Sequence, residues 1–174
     1  MKNTLILFLF IVLFSCSEKT VTNEDKARQS MTDYIKLNID KNSRLDSISK
    51  PKLKALLQID ALELKYNSIQ SNAEKQLSLV KDLQKELELL LTLEDESLIS
   101  IKKKDLAKEI ELLQSMLKSR DIVYEDIKKS ENKKSDYYLA NATAYFNYKG
   151  MAKEMEVSIP LNKSFTVIDP QDIK

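Results

Sequence analysis

Histidine and tryptophan are absent from this sequence of 174 residues, and glycine and cysteine each occur once. The lack of histidine excludes Ser-His-Asp and Cys-His catalysis and imidazole metal ligands. A single glycine, Gly150, cannot form a Gly-rich dinucleotide turn or a phosphate-binding loop, because such loops need several residues without a Cβ. The sequence therefore predicts a protein without a cofactor, a metal ion or a nucleotide, and without enzymatic activity.

The charges of the chain are balanced, with 28 Lys and Arg against 27 Asp and Glu and a net charge of +1. Because both signs are mixed along the sequence, no field draws the protein onto a polyanion, and we expect no nucleic-acid partner. The length predicts one ordinary domain, or a small domain with an appendage. The scarcity of glycine and proline favours long helices.

Residues 1–15 have the layout of a secretory signal peptide. One basic residue, Lys2, precedes the unbroken apolar run 5–14, and Ser15 and Cys16 follow. A membrane-spanning helix needs about 20 apolar residues, so this run is too short to cross a bilayer. The sequence therefore predicts that residues 1–15 are removed from the mature protein.

The segment Leu13-Phe14-Ser15-Cys16 resembles the lipobox of bacterial lipoproteins, in which a small residue precedes a cysteine. The resemblance implies that Cys16 is acylated and begins the mature chain, followed by a lipidated tether at 16–22. The alternative is a buried or free thiol, since the chain has no second cysteine for a disulfide. We therefore expect the protein to bind a membrane through the lipid on Cys16. The expected location is the bacterial cell envelope, at the outer membrane, with either a periplasmic or a surface-exposed position.

A first helix is predicted after the tether. Thr22 followed by Asp25 is typical of a helix start. The next apolar residues share one helical face, namely Ala27, Met31, Tyr34 and Ile35. Turn-forming residues at 38–43 end this helix, and residues 45–49 are predicted to be extended. Residues 23–50 therefore form the first part of a small folded body.

Residues 51–134 carry a heptad pattern in two parts. Apolar residues alternate in steps of four and three, which is the period of a coiled coil. The first seam runs through Ala55, Ile59, Leu62, Tyr66, Ile69, Ala73, Gln76, Val80, Leu83, Leu87 and Leu90. The second runs through Ile99, Lys103, Leu106, Ile110, Leu113, Leu117, Arg120, Tyr124 and Ile127. The polar members of the seams either fix the register or are tolerated beside water.

The two seams are predicted to fold against each other as an antiparallel coiled-coil helical hairpin. Their phase breaks between residues 92 and 97, because Leu90 and Ile99 hold equivalent positions nine residues apart, whereas a continuous rod needs multiples of seven. Each arm of the hairpin would be about 60 Å long. An oligomeric rod is the alternative, since the turn contains neither glycine nor proline.

After Lys134 the period of the apolar pattern changes from seven to two, which indicates strands. Alanines at 140, 142 and 144 share one face of the first strand. The predicted strands are 137–148, 154–161 and 165–168, joined by turns at Lys149-Gly150 and at 162–164. The region 135–174 is therefore predicted to be a three-stranded antiparallel meander, which needs a covering helix because one apolar sheet face is not stable in water.

Together these patterns predict an α+β fold in which the N-terminal helix packs on the meander. The body consists of 23–50 and 135–174, and the helical hairpin at 51–134 interrupts it. The order of lipobox, Tyr34-Ile35-Lys36 helix, extended piece, long helical insert and final strands is similar to that of small uncharacterised lipoproteins of Gram-negative bacteria. This resemblance implies the architecture and no particular activity.

The charged clusters are interpreted as solvated side chains. Glu94-Asp95-Glu96 lies at the predicted tip of the hairpin, and Glu154 and Glu156 lie on the solvent face of a strand. Neither cluster has the burial that shifts a catalytic pKa. The lysine runs at 102–104 and 128–134 have acids beside them that cancel most of their charge.

Tyrosine is the residue type that points to a partner surface. Tyr137, Leu139 and Tyr145 are predicted to project from the strand face opposite the alanines, where exposed aromatic area often marks a binding surface. The alternative is that the base of the helical hairpin packs on this face.

Two functions follow from these predictions. In the first, the protein is a non-enzymatic adaptor or spacer of the cell envelope, whose coiled-coil hairpin docks an envelope protein partner. In the second, the α+β body recognises a peptide or a glycan and the hairpin only positions it.

Overall fold

The computed structural model describes residues 21–93 and 96–174. The predicted signal peptide, Cys16 and most of the tether lie outside the described residues, as do Glu94 and Asp95 of the predicted turn. The helices are α1 (Asn23–Asn38), α2 (Gln58–Thr92) and α3 (Glu96–Lys129). The strands are β1 (Ser43–Ile48), β2 (Lys52–Leu57), β3 (Lys134–Tyr148) and β4 (Met151–Asn162), and a short 3₁₀ helix spans Pro170–Asp172. The chain is therefore α+β, as the sequence predicts.

The sheet is antiparallel and has four strands, of which the other three all pair with the long strand β3. Strands β1 and β2 lie end to end along one edge of β3, and β4 pairs with β3 along its whole length on the other edge. The break between β1 and β2 falls at Pro51, which has no backbone N–H for the ladder. Ser49 covers the break, because its Oγ accepts a hydrogen bond from the N–H of Thr143 at 2.9 Å.

The predicted three-stranded meander is therefore wrong in two respects. Strand β2 occupies residues that the heptad pattern assigns to the start of the helical hairpin, and Ala55 pairs with Tyr138 in the sheet. The predicted third strand at 165–168 makes only one bridge, between Val167 and Leu161. Alternation of apolar residues over so short a run does not by itself distinguish a strand from the beginning of a helix.

The turn between β3 and β4 is confirmed at Lys149-Gly150. Both residues have positive φ, 49° for Lys149 and 83° for Gly150. This is the backbone of a two-residue hairpin turn, which glycine adopts without a steric penalty. The one glycine of the chain lies where the fold requires it.

Helix α1 covers the alanine face of β3. Its buried residues, Ala27, Met31 and Ile35, pack on the cluster formed by Ile48, Ala140, Ala142, Ala144, Ile159, Leu161 and Phe165. Thr22 caps the helix, since its Oγ accepts the N–H of Asp25 at 3.2 Å and its hydroxyl donates to the Asp25 carboxylate. That hydroxyl contact lowers the pKa of Asp25.

Among the residues that the structure describes, the other face of the sheet is covered near the start of β3. There Leu56, Ala61 and Ile173 form a buried cluster with Tyr137 and Leu139 at its side. The C-terminal tail is held against this cluster, because Lys65 Nζ donates to the carbonyl of Ile173 and the N–H of Lys174 donates to the Tyr137 hydroxyl. Helix α2 therefore rests on the sheet through its first turns.

Helices α2 and α3 pack against each other in antiparallel order. Gln76 Nε2 donates to the Glu109 carboxylate at 2.7 Å, Arg120 Nη1 donates to Gln70 at 3.2 Å, and Lys102 bonds Glu86 at 2.7 Å. The pair is inserted between β2 and β3, whose ends remain paired at Leu57 and Lys134. It thus takes the place of the turn in a β-hairpin. Among the described residues, no helix is both long and apolar enough to span a bilayer.

The predicted seam of α2 faces inward from Leu62 to Leu90, because every seam residue in that range is buried or half-buried. Seven of the nine predicted seam residues of α3 are half-buried, and two positions differ from the prediction. Val123 is buried where the pattern predicts Tyr124, and Lys102 turns inward where it predicts Lys103. The reason is the width of the apolar stripe on α3, which is three positions per heptad, so spacing alone does not select which two face α2.

Candidate interaction surfaces

The helix pair exposes large aliphatic side chains mainly on one side. Ten large apolar residues at 77–124 are exposed among the described residues, and seven of them lie on this side. We call these seven the aliphatic flank: Leu79, Leu89, Leu93, Leu98, Ile101, Leu112 and Ile122. Six of them directly precede a buried or half-buried residue of their helix, which places each about 100° around the helix from the seam, and Leu93 follows Leu89 by four residues. Because the helices are antiparallel, these positions lie on the same side of the pair in both helices.

The aliphatic flank is densest toward the tip of the pair. Leu89 near the end of α2 and Leu93, its C-cap residue, lie at the same end of the pair as Leu98 and Ile101 of α3, and Leu93 is 73% exposed. Apolar area of this kind, concentrated at one place on a surface, is characteristic of an interaction site. Leucines exposed singly, by contrast, are common on protein surfaces.

The same segment is strongly acidic. Residues 86–101 include five acids, Glu86, Glu88, Glu94, Asp95 and Glu96, and no Lys or Arg. Lys102 follows directly and bonds Glu86, and this hydrogen bond raises the pKa of Lys102. We call residues 86–101 the tip segment. It combines eight large aliphatic residues with a negative charge.

A groove of about 630 Å³ lies at the opposite end of β3 from the helix pair. The C-terminal turn of α1 forms one wall, through Tyr34, Ile35 and Asn38. The floor and the other wall come from the ends of β3 and β4, through Phe146, Tyr148, Met155 and Val157. We call this the α1–β4 groove. It exists because α1 is narrower than the sheet, so the distal part of β4 stays uncovered and Met155 is 54% exposed.

Lysines border the α1–β4 groove. The Nζ atoms of Lys149 and Lys153 each lie 5.2 Å from the centre of the Tyr148 ring. Glu154 also lines the groove, but its position in register with Tyr145 assigns its side chain to the other face of β4. The groove is thus apolar inside, with two cations held over an aromatic ring at its rim.

The predicted partner surface divides into two parts. Tyr137 and Leu139 are half-buried against the base of α2 and the C-terminal tail. Tyr145 is 41% exposed and lies further along β3. Tyr137 and Leu139 thus contact the base of the helix pair, which is the alternative that the sequence analysis allows for this face. Tyr145 does not belong to that cluster.

The remaining charged residues form no enclosed site. Glu154 and Glu156 are exposed on β4, and Glu96 is the first residue of α3. Within 21–93 and 96–174, no three acidic side chains are close enough to hold a metal ion. Cys16 lies outside this part of the chain.

Comparison with known proteins adds no functional analogy for the two surfaces. No family model, no curated protein and no solved structure matches the chain. Function is therefore inferred from the geometry of the aliphatic flank and of the α1–β4 groove.

The α1–β4 groove is not predicted by the sequence pattern. That pattern assigns Tyr34 to the buried face of α1, whereas Tyr34 is 45% exposed and lines the groove. The sequence does contain one indication of the groove. Met151 and Met155 lie on the same face of the sheet as the alanines, but α1 packs near Ile159 and Leu161 and does not extend over these two methionines. Relating that signal to α1 requires the register of β4, which spacing alone does not supply.

Proposed function

We propose that this protein is a lipoprotein of the bacterial cell envelope that works as a non-enzymatic adaptor or spacer. In this proposal acylated Cys16 anchors the chain to the outer membrane, and residues up to Thr22 form the tether. The helix pair is an antiparallel coiled-coil hairpin that carries its tip away from the body. A protein partner docks on the aliphatic flank near that tip.

The aliphatic flank is the observation that carries the proposal. A two-helix hairpin that is only structural needs one apolar seam, and its outer positions are normally polar. Here seven large aliphatic residues lie outside the seam on one side. Covering them would remove apolar area from water, which stabilises a complex by roughly 25 cal/mol per Å² before the costs of association.

A spacer also needs a defined length. Helix α3 has 34 residues, which corresponds to about 50 Å at 1.5 Å per residue. Three polar contacts between the arms, at Gln76, Lys102 and Arg120, are distributed along that length. They favour a single register and therefore a fixed distance between the body and the tip.

The α1–β4 groove supports a second candidate function, recognition of a peptide or glycan by the body. The outer edge of β4 also favours it. The carbonyl of Pro160 accepts a hydrogen bond from the N–H of Ile168, so it points away from β3. Every second residue of a strand points its backbone groups to the same edge, so those of Ala152, Glu154, Glu156 and Ser158 also point to the outer edge. A peptide could add there as a strand.

Site-specific photocrosslinking in cells tests the adaptor. A photoreactive amino acid is placed at Leu89 or Ile101 on the aliphatic flank, and at Ser78 or Lys104 on the outer side of the same helices as matched controls. We expect an adduct with an envelope protein from the flank positions only. The experiment is repeated with Cys16→Ser, which should release the protein from the membrane fraction and abolish the adduct.

Two results would contradict the proposal. Equal adducts from flank and control positions would mean that the flank is not a specific surface. Adducts only from a reporter at Tyr34 or Met155, beside the groove, would instead favour recognition by the body.

A further inference from the structure

We propose that the α1–β4 groove binds the tip segment of a second copy of this chain. This inference rests on the proposed function, because it names the partner of the tip. The two surfaces have complementary chemistry and lie at opposite ends of the molecule. Each copy therefore offers one of each.

The shape of the groove fits a helix. The sheet is three strands wide at this end, which is about 14 Å across at about 4.8 Å for each strand. One helix with its side chains covers about 10 Å, so α1 leaves an apolar strip beside it. Met151, Met155 and Tyr34 are exposed along that strip. A helical segment with a narrow apolar ridge would complete the cover of the sheet.

The tip segment supplies such a ridge. Leu89 and Leu93, the C-cap residue of α2, are four residues apart, so they lie on one side of the helix at its end, and Leu89 is 65% exposed. Methionine side chains in the groove are unbranched and adapt to the shape of an incoming leucine. The apolar parts of the two surfaces can therefore pack together.

Charge favours this occupant over an unrelated apolar helix. Among the described residues the tip segment has three acids, Glu86, Glu88 and Glu96, and no base, and the groove rim has Lys149 and Lys153 over Tyr148. Opposite charges at the edge of an apolar contact increase the rate of association and select the partner. Glu88 is exposed beside Leu89, so it is the acid that we expect to lie nearest to Lys153.

The contact must form between copies. Helix α2 packs on the sheet through Ala61 and Leu64, at the Lys134 end of β3, whereas the groove is at the Tyr148 end. A tip that occupies the groove of the next copy leaves its own groove open for a third. The association is heterologous and extends head to tail, unlike an isologous dimer, which closes.

Sedimentation velocity on the purified full chain in mild detergent tests the proposal. We expect the mean mass to rise with protein concentration, and to fall when the salt concentration is raised from about 50 to about 500 mM, a range that spans weak and strong screening.

The groove variant is K153E/M155Q and the tip variant is E88K/L89Q. Each should weaken self-association by about tenfold or more, which corresponds to about 1.4 kcal/mol. Leu37→Gln, on an 85% exposed residue outside the groove, is the control and should associate like the parent.

Mixing the two variants gives the decisive result. The groove variant keeps an intact tip, and the tip variant keeps an intact groove, so an equimolar mixture should form a one-to-one complex that does not grow further. All four substituted side chains are exposed, and circular dichroism checks that both variants fold.

A parent chain that stays monomeric throughout would overturn the proposal, and so would a mixture that forms no complex. If the photoreactive residue at Leu89 then still captures another envelope protein, the adaptor stands without the second copy. If it captures nothing, the adaptor fails as well.

Discussion

The small size of three alanines sets the distance between α1 and the sheet. Ala140 and Ala144 are fully buried, and Met31 of α1, also fully buried, belongs to the same cluster. A larger side chain at Ala140 would push the helix away or force strained rotamers, because protein interiors have few voids. Close packing of α1 on the sheet therefore depends on the small side chains at these alanine positions.

We predict that Ala140→Leu lowers the free energy of unfolding by about 1 to 3 kcal/mol. Ala152→Leu is the matched control, since Ala152 is exposed on β4 opposite Asn147 and the change should cost less than about 0.5 kcal/mol. Chemical denaturation of both variants measures the difference. Equal stability of the two would mean that α1 does not pack tightly on Ala140.

At this scale the sequence predicts the core well and the surface poorly. The alternation of residues 140, 142 and 144 identifies the buried face, because a strand has only two faces. Tyr34 is misassigned, since a helix turns by 100° per residue and an amphipathic tyrosine is compatible with either a core or a groove. Tyr137 and Leu139 are assigned to the correct strand face, but what covers them comes from residues 61 and 173, far away in the sequence.

The elements of the helix pair are held in register by polar contacts. Gln76 donates both to the carboxylate and to the carbonyl of Glu109 on the opposite helix. Both side chains are partly buried, where a hydrogen bond between a neutral and a charged group is stronger than in water. Gln76 thus bonds the opposite arm, which favours the register role among the two interpretations that the sequence allows.

A double-mutant cycle tests this contact. We predict that Gln76→Ala and Glu109→Ala each destabilise the protein, and that the double variant loses less than their sum, with a coupling of about 1 kcal/mol. The pair Gln29 and Asp33, which bond each other within α1 on its exposed side, provides the control with a smaller coupling. Strict additivity at Gln76 and Glu109 would contradict the assignment.

The heptad pattern predicts the existence and the direction of the helix pair, because a sustained seven-residue apolar period is characteristic of helices that pack side by side. It does not predict where α2 begins. Residues 52–57 are apolar at intervals that suit both a helix and a strand, and pairing with β3 decides the outcome. The third predicted strand is misassigned for the same reason, since long-range pairing is not encoded in local spacing.

For the whole molecule, the arms should tolerate a change of length in steps of seven residues. Deleting 80–86 together with 102–108 removes Glu86 and Lys102 as a pair and keeps the seam phase on both sides. We predict a folded protein whose helix pair is shorter by about 10 Å. Small-angle scattering measures the length and circular dichroism the helix content.

Deleting four residues from each arm, 80–83 and 105–108, is the control for the phase. Four residues are not a whole heptad, so the apolar seams between the deletion and the tip would no longer face each other. We therefore expect a lower melting temperature than for the seven-residue deletion. If the two deletions behave alike, the seam does not specify how the arms pack.

The insertion of the helix pair at a β-hairpin turn also bears on how such a protein can evolve. Leu57 and Lys134 are neighbours in the ladder, so the body meets the arms only at one pair of adjacent residues and at the helix base. Gene duplications or losses inside the arms would therefore leave the sheet intact, provided that both arms change equally. Lineages that share this body should therefore carry helix pairs of different length, each changed by whole heptads.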